Sequence, residues 1–232
     1  MADPNRDLFE RAVRLLAPVL DELIFVGGCA TGFMFTDPAA AGIRPTNDLD
    51  AIADVASYAA YTTLANRLRA IGLKEDTSAG TMTARWRHGD AVVEVTPTDR
   101  SVLGFSNTWY APAVVEAQRV TIAGLPVRMV TPPFLIASKL EAFHVRGHAD
   151  VVTSSDLEDV VLIVDGRPQL PAEIERAGGP VRDFIASEFG ALLDDRRFLD
   201  CLAGLLPQDR ASQARRPLLE KRLRGIAALQ QR

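Results

Sequence analysis

The sequence predicts an α+β fold: a mixed or antiparallel sheet with flanking helices, followed by a helical C-terminal half. Two observations carry this prediction. Strand-like and helix-like segments follow one another irregularly over the first 130 residues and include two hairpin patterns, and every segment beyond about residue 171 has helical periodicity. A doubly wound fold would instead show regular alternation of strand and helix. We therefore expect a sheet-containing core over residues 1–130 and a helical domain over residues 131–232.

The first predicted elements surround a pair of glycines. Apolar residues at helical spacing predict a helix over residues 9–23, with a kink or break at Pro18. Residues 24–28 predict a short buried strand that ends in the turn Gly27-Gly28, and residues 29–35 are apolar and helical in pattern. Residues 36–47 contain Pro, Gly and Asn and are expected to form a loop.

The middle of the chain predicts strands and one helix. Residues 48–54 return to a strand pattern, and a helix is predicted over residues 57–72, with Ser57 as its N-cap. Two alternating runs about a tight turn predict a hairpin over residues 81–97. A second hairpin is predicted over residues 119–130.

The helical half opens at residues 131–133, where prolines in the first turn favour a helix continuing through residues 134–146. Ser155, with Glu158 three residues later, predicts a capping box at the start of the next helix, which ends at Gly166. The remaining segments are all expected to be helical.

The composition excludes several classes of protein. Hydrophobic residues make up 47% of the chain and charged residues 24%, with a net charge of −4, which is ordinary for a globular protein. The longest aliphatic run, residues 160–164, is far too short to span a membrane. Cys29 and Cys201 are too few for a disulfide framework or a zinc quartet. We expect a reduced, cytoplasmic protein without a membrane partner.

Three carboxylates in two predicted strands suggest a metal site. Asp48 and Asp50 are two positions apart, so their side chains point to the same face of a strand. Glu94 projects from its strand opposite the apolar face of Val93 and Val95. If the two strands are neighbours, the three acids form a cluster. Hard oxygen ligands suit Mg²⁺, and two such ions about 3.5–4 Å apart support nucleotidyl transfer.

The alternative is that Asp48 only caps a turn and that Asp50 pairs with Arg44 at the surface. The surrounding sequence favours the metal site. Gly27 and Gly28 lie upstream at a strand end, where backbone N–H groups can approach a phosphate closely. The order of glycine turn, paired aspartates and third acidic strand is more specific than any one of these features.

The sequence resembles the nucleotidyltransferase superfamily of DNA polymerase beta type. It is most similar to the AbiEii-type branch, which includes the MenT toxins of toxin–antitoxin systems. The match rests on five segments that together span about residues 25–167: FVGGCATG, RPTNDLD, VVEVTP, TPPFLIASKLEAFHVRG and SSDLEDVVLIVDGR.

The resemblance implies roles for particular residues. Gly27 and Gly28 would hold the triphosphate of an incoming NTP, while Asp48 and Asp50 would bind two catalytic Mg²⁺ ions. Glu94 would be the third acid, which activates the acceptor hydroxyl or holds the second metal.

The resemblance implies roles for three further residues. Lys139 would bind the nucleotide phosphates, Arg44 is a candidate substrate contact, and Asp159 lies in the acidic helix that follows the lysine helix. The sequence departs from the family at three points. The interval between Gly28 and Asp48, which contains Arg44, is long at nineteen residues. The turn is Gly-Gly where many members have Gly-Ser, and Glu94 stands where Asp is usual.

The lysine helix can be interpreted without the resemblance. Lys139, Phe143 and Arg146 form one helical stripe, and a stripe with two cations either faces solvent or meets anions. Asp159 could pair with Lys139 or Arg146 and orient it, or it could act with Asp156 to stabilise the start of its own helix.

Residues 208–232 carry seven Lys or Arg and two acids. Such a basic tail could bind tRNA or another RNA, or it could pack its Leu and Ile on the body with the cations outside. The function predicted first is transfer of an NMP from an NTP to a hydroxyl, with the 3′ end of tRNA as the favoured acceptor, by a toxin that has a cognate antitoxin. The alternatives are an inactive nucleotide- or partner-binding protein, an NTP-dependent kinase, and nucleotidyl transfer to a protein or small molecule.

Overall fold

A seven-stranded mixed sheet organises the first part of the chain in the computed structural model, which describes residues 3–40, 42–76, 84–146 and 150–231. Its strands, in chain order, are β1 (Leu23–Val26), β2 (Asp48–Ala53), β3 (Lys74–Glu75), β4 (Arg85–His88), β5 (Ala91–Pro97), β6 (Gln118–Ile122) and β7 (Leu125–Met129). Across the sheet the order is β3-β4-β5-β2-β1-β7-β6. The β1–β7 and β2–β5 pairs are parallel and the other pairs are antiparallel.

Helices flank the sheet and make up the C-terminal half, which confirms the predicted α+β class. The helices that alternate with strands are α1 (Arg6–Leu15), α2 (Gly27–Thr31), α3 (Tyr58–Ala70), α4 (Arg100–Leu103) and α5 (Tyr110–Val115). Those of the C-terminal half are α6 (Pro132–Arg146), α7 (Ser155–Gly166), α8 (Leu170–Ala177), α9 (Gly179–Asp194), α10 (Arg196–Cys201), α11 (Arg210–Ala214) and α12 (Arg216–Ala227). Short 3₁₀ turns cover Ala17–Glu22, Gly32–Met34 and Ala228–Gln231.

Capping residues explain several helix boundaries. The Ser57 hydroxyl accepts a hydrogen bond from the backbone N–H of Ala60, so Ser57 caps α3 as the sequence predicts. The prediction for α7 was wrong by one residue. Ser154, and not Ser155, is the N-cap, because its hydroxyl accepts from the N–H of Leu157. Ser155 is then the first residue inside the helix.

Both predicted hairpins form, with turns that use left-handed backbone. Ala123 and Gly124 have φ values of 51° and 81° between β6 and β7, which is typical of a tight turn matched to the twist of its strands. Gly89, with φ 60°, lies in the turn between β4 and β5. Residues 81–83 of the first predicted hairpin lie outside the described part of the chain.

The chain divides into two compact units. The sheet unit comprises Asp3–Gly32 and Arg44–Thr131, and the helical unit comprises Phe33–Ile43 and Pro132–Arg232 within the described ranges. The sheet unit buries β1 completely between β2 and β7. The helical unit is built around α7, whose residues 160–164 are all buried, so this aliphatic run forms a protein core.

The segment Phe33–Ile43 lies in the helical unit although the sequence places it between β1 and β2. The backbone N–H groups of Thr36 and Asp37 donate to the carbonyl of Gly166 at 2.9 and 3.0 Å. The ring of Phe35 covers Gly166 so closely that a Cβ atom there would lie 2.8 Å from it. These contacts account for the long interval between the glycine turn and β2. No described helix is long and apolar enough to cross a membrane.

Candidate active site

The glycine turn after β1 is built around the side chain of Asp50. Val26, the last residue of β1, pairs with Asp50 of β2 in the antiparallel register. Gly27 follows with φ 78°, in the left-handed region. A Cβ atom on Gly27 would lie 1.7 Å from Oδ2 of Asp50, so the carboxylate occupies the space that any other side chain would need. Both the backbone conformation and the space therefore require glycine at this position.

Asp48 lies two residues before Asp50, on the same face of β2. The hydroxyl of Thr46 donates a hydrogen bond of 2.6 Å to Oδ1 of Asp48. The thiol of the buried Cys29 donates to the backbone carbonyl of Asp48 at 3.1 Å. Contacts to both the side chain and the main chain thus fix the position of Asp48.

Glu94 lies directly beside Asp50, because β2 and β5 are parallel neighbours with these two residues in register. The carboxylate of Glu94 nevertheless makes an ion pair in the opposite direction. Oε1 of Glu94 accepts from Nη1 of Arg85 at 3.1 Å, across the β4–β5 pair. Arg85 also lies 3.4 Å from the carboxylate of Asp76, which Arg87 contacts at 2.7 Å. A row of ion pairs thus continues from Glu94 toward the edge of the sheet.

The candidate site offers two carboxylates to a divalent cation. Among the residues that the structure describes, no three acidic, histidine or cysteine side chains are close enough to hold a metal ion together. The strand order brings Glu94 beside the aspartates, but its side chain is bound to Arg85. Asp48 and Asp50 remain as two carboxylates on one face. Because Mg²⁺ binds through one or two carboxylates and completes its shell with phosphate oxygens and water, this pair fits the ion.

Arg44 lies in the loop that precedes β2, and this loop is held by a residue that sequence reasoning missed. The side chain of Asn5 accepts from the N–H of Thr46 at 2.9 Å and donates to the carbonyl of Arg44 at 3.0 Å. Asn5 is only 1% exposed. An Asn before a helix is typical of an N-cap, yet its side chain makes no capping bond to α1. No sequence pattern distinguishes these two uses of the residue.

Lys139 lies in the helical unit and is buried between two aspartates. Its Nζ is 2.6 Å from Oδ2 of Asp159 and 3.2 Å from Oδ1 of Asp156. The side chains of Lys139 and Asp159 are 7% and 2% exposed. The lysine stripe was expected either to face solvent or to meet anions, and Lys139 meets anions. Its binding to nucleotide phosphates, and the part of Asp159 in it, stay predictions.

The basic tail directs two of its arginines inward. Nε of Arg215 contacts both carboxylate oxygens of the fully buried Asp165, at 2.9 and 2.8 Å, and Nη2 donates to Asp37 at 2.7 Å. Arg222 donates to the carbonyl of Asp165 and lies 3.7 Å from Asp37. The hydrogen bond from Arg215, together with one from the N–H of Ala39, lowers the pKa of Asp37 below its usual value.

The apolar residues of the tail are also buried. Leu219, Leu223 and Ile226 of α12 lie in the core of the helical unit. These contacts are those of an amphipathic tail that packs on the body of the protein. They leave fewer cations of the tail for an RNA backbone than the sequence alone suggests.

Comparison with known proteins gives matches only at the level of structure. No protein-family model and no curated protein matches the chain. An antigenic nucleotidyltransferase-like protein from Paracoccidioides brasiliensis matches with a TM-score of 0.52 and 19% identity, over 94% of this chain and 93% of that chain. The protein JHP933 from Helicobacter pylori matches with a TM-score of 0.48 and 16% identity, over 98% of this chain and 89% of its own. The first match shows that the chain has a nucleotidyltransferase-like fold.

Proposed function

We propose that this protein is a Mg²⁺-dependent nucleotidyltransferase that moves an NMP from an NTP to a hydroxyl group. The observation that carries the proposal is the position of the Asp50 carboxylate over Gly27, with Asp48 on the same face of the strand. The arrangement places two hard anionic ligands beside a glycine turn, where backbone N–H groups can approach a phosphate closely. A triphosphate with its cation needs both kinds of contact.

Each residue of the candidate site has a proposed task. Asp48 and Asp50 hold the cation, and the Gly27-Gly28 turn binds phosphate oxygens through its backbone. Arg44 contacts the substrate from the loop before β2. When bound, Mg²⁺ neutralises charge on the phosphates and on the leaving group.

The proposed reaction is an in-line displacement at the α-phosphorus. The acceptor oxygen forms a bond to this phosphorus while the bond from phosphorus to the bridging oxygen of the β-phosphate breaks. The acceptor loses its proton to a base, and pyrophosphate leaves with the bridging oxygen. Most of the rate enhancement comes from positioning and charge stabilisation, as in other phosphoryl transfers. Glu94 is the candidate base, and one oxygen of its carboxylate, Oε1, is paired with Arg85.

The proposed acceptor is the 3′ end of tRNA, and the proposed biological role is that of a growth-inhibiting toxin with an antitoxin partner. The support is the similarity of residues 25–167 to the AbiEii/MenT-type branch. The inward ion pairs of Arg215 and Arg222 remove part of the support that the basic tail gave to RNA binding. A protein side chain or a small molecule is the alternative acceptor.

Transfer of label separates the candidate reactions. The protein is incubated with Mg²⁺, total RNA and each NTP labelled at either the α- or the γ-phosphate. Label that reaches RNA only from the α position supports nucleotidyl transfer to RNA, whereas label from the γ position identifies a kinase. A parallel incubation with cell lysate detects label on protein or small molecules.

Variants connect the reaction to the site. Asp48→Asn and Asp50→Asn should each abolish transfer while the fold is retained, as measured by circular dichroism. Asp54→Asn is the matched control, because Asp54 directly follows β2 and lies 3.8 Å from Arg128. Full activity in either Asp48 or Asp50 variant contradicts the proposed metal role.

The second candidate is a protein that binds nucleotide without transferring it. The ion pair between Glu94 and Arg85 favours this candidate, because it keeps the third carboxylate away from the aspartates. Nucleotide binding in equilibrium dialysis without transfer of either label supports the second candidate. Glu94→Gln should then leave nucleotide affinity unchanged, because in this candidate Glu94 takes no part in binding the metal or the nucleotide.

A further inference from the structure

Asn5 holds the loop before β2 at two adjacent backbone groups. Its Oδ1 accepts from the N–H of Thr46 at 2.9 Å, and its Nδ2 donates to the carbonyl of Arg44 at 3.0 Å. Asn5 itself is fixed by the carboxylate of Asp3, which accepts from the Asn5 N–H at 2.8 Å. Asn5 is 1% exposed, and its two bonds to the partly buried loop give the loop a defined conformation around Thr46.

Thr46 contacts both halves of the candidate site. Its hydroxyl donates to Oδ1 of Asp48 at 2.6 Å. Its Cβ lies 3.3 Å from the point where a Cβ atom on Gly28 would be, so Thr46 packs against the second glycine of the turn. One residue thus links the carboxylate strand to the proposed phosphate-binding turn.

We propose that Thr46 and Asn5 are positioning residues for the Asp48 carboxylate. Asn5 fixes the backbone of Thr46, and the Thr46 hydroxyl holds one carboxylate oxygen and so restricts rotation of the group. A carboxylate held in one orientation binds a cation with less loss of freedom than a mobile one. This inference rests on the proposed function, since it assigns to Asp48 the binding of a divalent cation.

Binding of Mn²⁺ to the full-length protein tests the inference without measuring activity. Mn²⁺ replaces Mg²⁺, and electron paramagnetic resonance measures the free ion during a titration with the metal alone. Thr46→Val removes the hydroxyl and keeps the shape of the side chain, so the dissociation constant should rise about tenfold. Thr46→Ser restores the hydroxyl and should restore affinity to within about twofold of the wild-type value.

A control variant and a second positioning variant separate a change in Mn²⁺ affinity from a change in stability. Thr62→Val makes the same chemical change on the exposed surface of α3, where the hydroxyl donates to the carbonyl of Tyr58, and it should leave the affinity unchanged. Asn5→Ala should weaken Mn²⁺ binding in the same direction as Thr46→Val. Because Asn5 is buried, Asn5→Ala also lowers stability. The Mn²⁺ affinity of this variant is therefore measured at a temperature at which circular dichroism shows it to be folded.

The outcomes separate the inference from the proposed function. Wild-type affinity in Thr46→Val, or equal losses in Thr46→Val and Thr46→Ser, overturns the inference alone. Absence of Asp48-dependent Mn²⁺ binding in the wild-type protein overturns the metal role of Asp48 and the inference together. A tenfold loss that Thr46→Ser restores supports both.

Discussion

Oδ2 of Asp50 lies 1.7 Å from the point that a Cβ atom on Gly27 would occupy. Asp50 lies in β2, and Gly27 directly follows the neighbouring antiparallel strand β1, so the contact depends on the pairing of Val26 with Asp50. Position 27 therefore requires glycine both because the Asp50 carboxylate fills the space of a side chain and because φ is 78°. This relationship gives the site a direct experimental test.

Gly27→Ala should abolish Mn²⁺ binding, because the new methyl group displaces the Asp50 carboxylate. The left-handed backbone adds a cost of about 1–2 kcal/mol to folding. Gly124→Ala is the matched control. Its φ is 81° and no atom lies within 4 Å of the added Cβ, so it carries the backbone cost alone. Titration with Mn²⁺ and urea unfolding measure the two effects separately, and normal metal affinity in Gly27→Ala contradicts the proposed site.

Arg85→Gln should strengthen Mn²⁺ binding, because the variant releases Glu94 toward the aspartates and removes a nearby positive charge. Both partners are about one third exposed, so the expected gain is modest, up to about fivefold or about 1 kcal/mol. Arg87→Gln is the control, since Arg87 lies on the same strand as Arg85, pairs with Asp76 and makes no ion pair with Glu94 in the described structure. Equal affinities in the two variants would show that Glu94 takes no part in metal binding.

Lys139→Met should destabilise the helical unit by about 3–5 kcal/mol, because it leaves Asp159 buried without its cation. Arg196→Met breaks the exposed pair with Asp200, where the side chains are 93% and 72% exposed, and should cost less than about 1 kcal/mol. Urea unfolding measures both changes. A small change in the free energy of unfolding of Lys139→Met would mean that the ion pairs of Lys139 contribute little net stability. Nucleotide binding would then be the better explanation for a lysine at this position.

Asp37→Asn should destabilise the protein at neutral pH and have little effect in acid. The pKa of Asp37 is lowered below 3.8 in the folded protein by its bond to Arg215. A lowered pKa means that the stabilising contribution is present above the unfolded pKa and is lost as the pH falls through the folded pKa. The difference in free energy of unfolding between wild type and variant should therefore shrink as the pH falls from about 5 to below 3.8. A difference that does not change with pH contradicts this assignment.

The sequence was most informative where one strand or helix carries its own pattern. Alternation predicted β2 and both hairpins, and the Ser57 cap predicted the start of α3, because these signals are local. The two-residue strand β3 and the short helix α4 were missed, since elements of this length have no measurable period. The shift of the α7 cap from Ser155 to Ser154 reflects two adjacent serines with equal capping ability.

The candidate site shows the limit of local patterns. The positions of Asp48 and Asp50 on one face follow from the period of a strand. The partner of Glu94 does not, because Arg85 becomes its neighbour only through the pairing of β4 with β5. The contacts of Asn5 join residues 39 and 41 positions apart in the chain. Such pairings depend on the order of strands in the sheet, which a single sequence does not specify.

The assignment of Phe33–Ile43 to the helical unit means that the chain enters that unit twice. A single cleavage near residue 131 would separate most of the sheet unit from the helical unit. The segment Phe33–Ile43 would stay on the N-terminal fragment and would lose its contacts with Gly166 and Arg215. The exposed apolar surface of such a segment favours aggregation over folding. Gene fusions that exchange the C-terminal half would therefore have to replace residues 33–43 at the same time, so the two units are expected to be inherited together and not as separate modules.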